Sequence, residues 1–174
     1  MEPKIVDKGQ IVLLGVSFFG DPFETSGDWT EENEIGRLWK RFFKLGQQLA
    51  DIVPKMEDVV AYEVHIYNEE TMSKGHFEVF VGVQVDSLAA VPVEAVIKIL
   101  PPTCYAVFTL QGEQIVSDWT RDIYHGWLAE SKYEEAYRYH FQQYDRRFKG
   151  LDHLDESVLD VYIPIKEADG GVER

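Results

Sequence analysis

The stretch HFEVFVGVQV, residues 76–85, alternates between two kinds of side chain and decides the fold class of the chain. Successive residues of a β-strand point to opposite faces, so every second residue lies on the same side. One side would carry only phenylalanine and valine, at Phe77, Val79, Val81, Val83 and Val85. The other side would carry Glu78, Phe80, Gly82 and Gln84. The pattern predicts a strand with one buried face.

The sequence before this strand completes a strand–helix–strand–strand unit. VAYEVHIYN (60–68) is a second alternating strand, and NEETMSKG (68–75) is the expected turn between the two. IVLLGVSFFG (11–20) is predicted to be a buried strand. A helix is predicted from Glu34 to Pro54, because apolar residues recur there at helical spacing. Those apolar residues are Ile35, Leu38, Trp39, Phe42, Phe43, Gly46 and Leu49.

The second half of the chain repeats this order of elements. The predicted strands are EAVIKILPP (94–102), TCYAVFTLQG (103–112), AYRYHFQQYD (136–145) and SVLDVYIPIK (157–166). A helix capped by Ser117 or Asp118 is expected after the second of them. The tail, residues 167–174, is expected to be disordered. We therefore predict an α+β fold in which two similar units share one core.

The composition indicates an acidic protein of the cytoplasm. Its 174 residues include 17 basic and 31 acidic side chains, a net charge of −14. Such a chain repels nucleic acid and anionic membranes, and it attracts cations. A single cysteine, Cys104, cannot form an internal disulfide, as is usual in a reducing compartment. No apolar run approaches the ~20 residues of a membrane span, and the first residues do not resemble a signal peptide.

Acidic and aromatic residues are expected together on the second face of the predicted sheet, opposite an aliphatic face that packs under the helices. They are Glu63, His65, Tyr67, Glu78, Phe80, Asp160 and Tyr162. Aromatic rings attract a cation by about 0.5–2 kcal/mol each, and a carboxylate adds to this attraction although its own loss of water is costly. Two interpretations stay open: a binding site for an amphipathic cation, or a second small core whose acids reach solvent.

The order of these elements resembles the GyrI-like small-molecule-binding domain, also called the effector-binding domain of bacterial transcription activators. The stretches that carry the resemblance are EIGRLWKRF, YEVHIY, HFEVFVGVQV, PPTCYAVFTLQG, IYHGWLAESKY, FQQYDRRF and VLDVYIPIK. The resemblance covers nearly everything from Ile11 to Lys166. The resemblance implies one domain, 1–174, of two pseudo-symmetric repeats, about 9–86 and 93–166. Their antiparallel sheet would carry both helices on one face, with a ligand cavity between the repeats.

The resemblance also implies a ligand class. Members of the family sense drugs, often aromatic cations, and many are fused to a DNA-binding helix-turn-helix; this chain is expected to be a stand-alone member. Relatives often have a glutamate two residues before the tyrosine of a stretch like FERYD, where this chain has Gln142 before Tyr144. The missing charge would then come from Asp160, Glu63 or Glu78.

The predicted site takes a small molecule, cationic and aromatic, and needs no cofactor and no metal. Its expected ligand-binding residues are Tyr62, Glu63, Tyr67, Phe80, Tyr105, Trp127, Phe141, Gln142, Tyr144, Asp160 and Tyr162. Two alternatives remain. One is a hydrolase in which Glu63, Asp160 or His65 acts as a general base. The other is a protein-interaction module whose partner is gyrase or a regulator, since some family members inhibit DNA gyrase.

Overall fold

Nine antiparallel strands form one sheet in the computed structural model, which describes residues 1–25, 32–48, 59–88 and 91–168. The elements of the first half are β1 (Lys4–Lys8), β2 (Ile11–Gly20), α1 (Glu34–Gly46), β3 (Ala61–Ile66), α2 (Glu69–Lys74) and β4 (Phe77–Gln84). The strands of the second half are β5 (Val96–Leu100), β6 (Thr103–Gln111), β7 (Tyr133–Glu135), β8 (Tyr139–Tyr144) and β9 (Val158–Glu167).

The second half also contains helical segments. The helix α3 (Trp119–Arg121) continues directly into a π-helical turn (Asp122–Leu128), and we call the two together the α3–π segment. Asp118 caps it by accepting a hydrogen bond from the backbone N–H of Arg121. Short 3₁₀ helices occupy Gly112–Val116 and Leu151–Glu156. The predicted α+β class, an antiparallel sheet with helices, is confirmed.

Some local predictions were wrong. The expected turn at 68–75 contains α2, because Asn68 and Thr71 form a capping box and Gly75 ends the helix with a φ of 71°. Glu167 was assigned to the disordered tail, yet it ends β9 and pairs with Tyr133. Residues 169–174 lie outside the described residues, as do residues 49–58, in which the first helix was expected to end.

The sheet must curl strongly, because short connections join strands from its opposite ends. The strand order is β1-β6-β9-β8-β3-β4-β2-β5, and β7 pairs with β9. In a flat sheet β5 and β6 would lie about 29 Å apart, at about 4.8 Å per strand. Pro101 and Pro102 alone join them, and Gly9 and Gln10 alone join β1 to β2. Two residues cover only about 10 Å, so the ends of the sheet approach each other around a concave face.

The side chains form three cores, two on the convex face of the sheet and one on the concave face. α1 covers the first convex core through Leu38, Phe42 and Leu45, and the α3–π segment covers the second through Trp119 and Ile123. We call the core on the concave face the concave core, and it contains mostly large side chains. Its buried members are Ile11, Leu13, Tyr62, Val64, Phe80, Leu100, Tyr105, Val107, Tyr139, Phe141 and Tyr162.

The register of β3 against β4 corrects the predicted faces. Glu63 lies opposite Val81, which is in the core under α1, and Val64 lies opposite Phe80 in the concave core. Partners across an antiparallel pair point to the same side, so Glu63 faces the helices and Phe80 does not. The prediction that these two residues share a face was wrong.

Among the described residues, every helix is too short or too polar to span a lipid bilayer.

Candidate functional site

A cluster of polar and aromatic side chains, closed in this structure, separates the two helices on the convex face, and we call it the interhelix cleft. β3 and β8 lie side by side in the middle of the sheet, and their registers place Glu63 opposite Gln142 and His65 opposite His140. α1 closes one side of the cleft, and the α3–π segment closes the other. The members of this interhelix cleft are Trp39, Glu63, His65, Tyr67, Trp119, Tyr124, His140, Gln142 and Tyr144.

Glu63 is the carboxylate at the centre of the cleft, and its residue is only 3% exposed. Its Oε2 accepts a hydrogen bond from Trp39 Nε1 at 2.5 Å. Its Oε1 lies 2.8 Å from His65 Nε2 and 3.4 Å from the donating Nε2 of Gln142. No Lys or Arg of the described residues forms an ion pair with it. Glu63 is therefore a buried acid whose partners are neutral amide and indole groups and one imidazole.

Tyr144 holds the amide of Gln142 in this arrangement. The Tyr144 hydroxyl donates to Gln142 Oε1 at 2.8 Å, which leaves the amide nitrogen free to donate to Glu63. Burial, and secondly the charge of Glu63, raise the pKa of Tyr144 well above its usual value, so the phenol keeps its proton. The Tyr144 ring meets the Trp39 indole edge to face at 5.0 Å. Strand β8 thus supports two partners of the carboxylate, Gln142 and Trp39.

His140 lies behind His65 and is fully buried. Its Nδ1 is 3.1 Å from the Tyr67 hydroxyl and 3.3 Å from the Tyr124 hydroxyl, while its Nε2 has no hydrogen-bond partner among the described residues. Burial, and secondly the nearby His65, lower the pKa of His140 well below its usual value. His140 is therefore a neutral imidazole at neutral pH.

The cleft continues into an open surface groove. The groove has a volume of about 1130 Å³ and lies between α2 and the α3–π segment. Tyr67 and Tyr124 line it and also contact His140, so they join the groove to the buried end of the cleft. Glu135 lines the groove beside them, and partial burial raises the pKa of its carboxyl. A small molecule could approach the cleft from this side.

The predicted site residues divide between two faces of the sheet. Glu63, Tyr67, Gln142 and Tyr144 lie in the interhelix cleft. Trp127 belongs to the α3–π segment and packs against the second convex core, stacked on Tyr133 at 5.9 Å. The others, on the concave face, are Tyr62, Phe80, Tyr105, Phe141, Asp160 and Tyr162.

On the concave face, the aromatic rings that were expected to line a cavity contact one another. Phe141 and Tyr162 stack at 4.5 Å, and Phe141 also meets Tyr62 at 5.5 Å and Tyr105 at 5.4 Å. Phe80, Tyr105 and Phe141 are each 0% exposed. The strong curl of the sheet brings these rings into contact, and the ligand cavity between the repeats stays a prediction.

On the concave side, positively charged side chains of the protein itself pair with Asp160 and cover the Tyr162 ring. Asp160 pairs with the guanidinium of Arg147 and accepts a hydrogen bond from Thr109 at 2.7 Å. The ammonium of Lys8 lies 4.9 Å from the centre of the Tyr162 ring. Asp160 therefore does not replace the glutamate of the relatives as a free charge.

Sequence reasoning missed part of the cleft. Trp39, Trp119, Tyr124 and His140 contribute to it. His65 was predicted on the same strand face as Glu63 but was not named among the ligand-binding residues. A signal was present in β8, where His140, Gln142 and Tyr144 alternate with Tyr139 and Phe141. Within the described ranges, no group of three or more His, Cys, Asp and Glu side chains could hold a metal ion.

Comparisons with known proteins agree with the resemblance seen in the sequence. Residues 4–165 match the family described as Cass2, integron-associated effector binding protein. The transcriptional regulator BrlR of Pseudomonas aeruginosa is 32% identical over 168 residues, which cover 95% of this chain and 56% of BrlR. The chain thus spans about half the length of this curated relative.

Solved structures with low sequence identity share the fold. SAV2435 bound to tetraphenylphosphonium has a TM-score of 0.68 at 16% identity, over 95% of this chain and 94% of that one. The Vibrio cholerae integron cassette protein VCH_CASS2 has a TM-score of 0.63 at 17% identity, over 95% and 97% of the two chains. The family match, the regulator BrlR and the shared fold lead to one conclusion: the chain belongs to the integron-associated effector-binding proteins, which have the GyrI-like fold.

Proposed function

We propose that this protein reversibly binds amphipathic aromatic cations in the interhelix cleft, as a receptor that senses or sequesters them. One observation carries the proposal: Glu63 is a buried carboxylate among aromatic rings, with no Lys or Arg partner among the described residues. A buried charge without a compensating opposite charge is costly, and a bound cation would remove that cost. The ligand-bound SAV2435 structure and the net charge of −14 support the same class of ligand.

The side chains of the cleft can supply the affinity that such a receptor needs. Micromolar binding takes about 8 kcal/mol. The rings of Trp39, Tyr67, Tyr124 and Tyr144 offer about 0.5–2 kcal/mol each to a cation, besides the burial of its apolar surface. The carboxylate of Glu63 adds the charge that distinguishes a cation from a neutral molecule of the same shape.

The cleft is closed in this structure, so binding requires a local rearrangement. The Trp39 indole donates to Glu63 and packs against Tyr144, and it thereby occupies the place where a cation would meet the carboxylate. A ligand that enters from the groove beside Tyr67 and Tyr124 would displace this indole. Its positive charge would then replace the indole N–H as the partner of Glu63.

Titration with tetraphenylphosphonium, followed by tryptophan fluorescence, tests the proposal. We expect quenching with micromolar affinity, because Trp39 lies at the site, and much weaker binding of the neutral triphenylphosphine oxide. Trp39→Phe should remove most of the signal. Trp127→Phe is the matched control, since Trp127 packs outside the cleft. Equal binding of the neutral and the charged probe, or no binding of either, would reject a cation receptor.

A hydrolytic activity is the second candidate. The 2.8 Å contact between Glu63 and His65 is a buried acid–base pair, which can activate a water molecule when both groups reach the substrate. Mass spectrometry of candidate ligands after incubation separates the two functions. A receptor returns each ligand unchanged, whereas a hydrolase converts it at a rate that Glu63→Gln abolishes.

A further inference from the structure

Glu63 has one partner whose charge can change, the imidazole of His65. The Nε2 of His65 lies 2.8 Å from the carboxylate, and the residue is 8% exposed. The other partners, the Trp39 indole and the Gln142 amide, remain neutral at all physiological pH values. Imidazole is the side chain that ordinarily gains or loses its charge between about pH 5 and 8. The charge that the cleft presents to a ligand therefore depends on the protonation of His65.

The surroundings of His65 leave Glu63 as its one charged contact among the described residues. On its own strand the neighbours are Glu63 and Tyr67, and on β8 they are His140 and Gln142. From β4, Phe77 packs on the ring at 5.3 Å.

The helices contribute no charge at this position. α1 brings the Trp39 indole to the same carboxylate, and the α3–π segment brings Trp119 and Tyr124 against His140. Glu135 lies farther out, on the groove side of Tyr67 and Tyr124. A proton on His65 is thus paired directly with the carboxylate that a ligand needs.

The second imidazole of the cleft does not share this role. The His140 ring lies against His65 with ring centres 4.9 Å apart and planes tilted by 39°, and burial keeps it neutral. A second positive charge at that distance would repel the first. His65 is therefore the member of the pair that contacts Glu63 directly.

We propose that His65 is a specificity-determining residue of the cleft, selecting organic cations when it is neutral and removing that selectivity when it is protonated. This inference rests on the proposed function. A protonated His65 and a bound cation compete for the same carboxylate. Cation binding therefore releases a proton, and the affinity for a cation rises with pH. A neutral aromatic ligand does not compete with the proton, so its affinity changes little.

The size of the effect follows from proton linkage. For strict competition between one proton and one cation, the dissociation constant for the cation increases about tenfold for each further unit of falling pH once the proton occupies the site. The selectivity for a cation over a neutral molecule of similar shape falls by the same factor. With a permanently neutral side chain at position 65, the affinity for a cation no longer depends on pH. The selectivity for a cation over a neutral molecule then does not fall at low pH.

The test compares a permanently charged probe with a neutral one at a series of pH values. Tetraphenylphosphonium carries no titratable proton, so any pH dependence belongs to the protein, and triphenylphosphine oxide is the neutral probe. Dissociation constants are measured by calorimetry between about pH 5 and 8. We expect weaker tetraphenylphosphonium binding at low pH in the wild-type protein and in the control His153→Asn. His65→Asn should bind it equally across the range, and His65→Gln provides a second variant.

The outcomes separate this inference from the proposed function. Binding of tetraphenylphosphonium that does not vary with pH in the wild-type protein overturns the role of His65 and leaves the cation receptor intact. A pH dependence that persists in both folded variants also overturns it. Absence of binding at every pH removes both proposals together.

Discussion

The interhelix cleft and the concave core contain the same kinds of side chain, but the carboxylates of the two regions have different partners. Each has aromatic rings and a nearby carboxylate, Glu63 in the cleft and Asp160 beside the concave core. The rings of the concave core stack on one another at distances down to 4.5 Å, and Arg147 and Lys8 supply the positive charges. In the cleft, Glu63 has only indole, amide and imidazole partners among the described residues.

Because both regions contain the same residue types, composition alone does not identify a cation site. A carboxylate that already pairs with a guanidinium gains little from a second cation, since its charge is compensated. A carboxylate held by neutral donors has no such partner, so a bound cation would compensate its charge. The packing differs as well, because the rings of the concave core contact one another, whereas in the cleft the Trp39 indole contacts both Glu63 and Tyr144.

The largest effect is expected from emptying the concave core. Phe141→Ala should lower the free energy of unfolding by about 3–5 kcal/mol, because the ring is fully buried among three tyrosines. Urea denaturation measures the loss. The exposed Phe43→Ala is the matched control and should stay within about 0.5 kcal/mol. A loss below about 1 kcal/mol for Phe141→Ala would mean that this face is loosely packed after all.

Replacing each carboxylate by the corresponding amide compares the contributions of Glu63 and Asp160 to ligand binding. Glu63→Gln should weaken tetraphenylphosphonium binding by about 10- to 100-fold, since a charged interaction of about 1.5–3 kcal/mol is lost. Asp160→Asn should change the affinity less than about twofold, because its charge already pairs with Arg147 on the other face of the sheet. The reverse order in a calorimetric titration would place the ligand on the concave side.

Acid should destabilise the cleft through His140. Its pKa is lowered in the folded protein, so the unfolded chain binds the proton more strongly. The stabilisation is present above the unfolded pKa of about 6.5 and is lost as the pH falls, by at most about 1.4 kcal/mol per pH unit. Urea denaturation between about pH 4 and 8 measures this slope. His140→Gln should reduce it, and an unchanged slope would show that His140 charges without cost.

The smallest effect is expected from Lys8, whose ammonium covers the Tyr162 ring. Lys8→Ala should lower the free energy of unfolding by no more than about 1 kcal/mol, the usual size of an exposed cation–π contact. Tetraphenylphosphonium binding should be unchanged, because the rings beneath still pack against one another. A new binding site in Lys8→Ala would mean that the two faces differ only in their bound cations.

The fold was largely predictable from local pattern. The alternation in residues 76–85 and in residues 60–68 identified two central strands, and the helical spacing from Glu34 identified α1. Weak signals were missed, such as α2 and β7, because six and three residues are too few for a period to emerge.

The candidate site was predictable only in part. Glu63, Tyr67, Gln142 and Tyr144 were named from the sequence and meet in the cleft. Asp160, Tyr162 and Phe80 were named for the same reason and lie on the other face. Nothing in the alternation of a single strand distinguishes the two groups, since both faces of β3, β4 and β9 are buried.

By itself, the sequence determined which residues of a strand share a side, because successive side chains of any extended chain point in opposite directions. It also determined the class of the fold and an acidic surface. Only the tertiary structure decided which side of each strand faces the helices, since that depends on the register with the neighbouring strand. The curl of the sheet then filled one face with stacked rings and left Glu63, on the other, without a cation among the described residues.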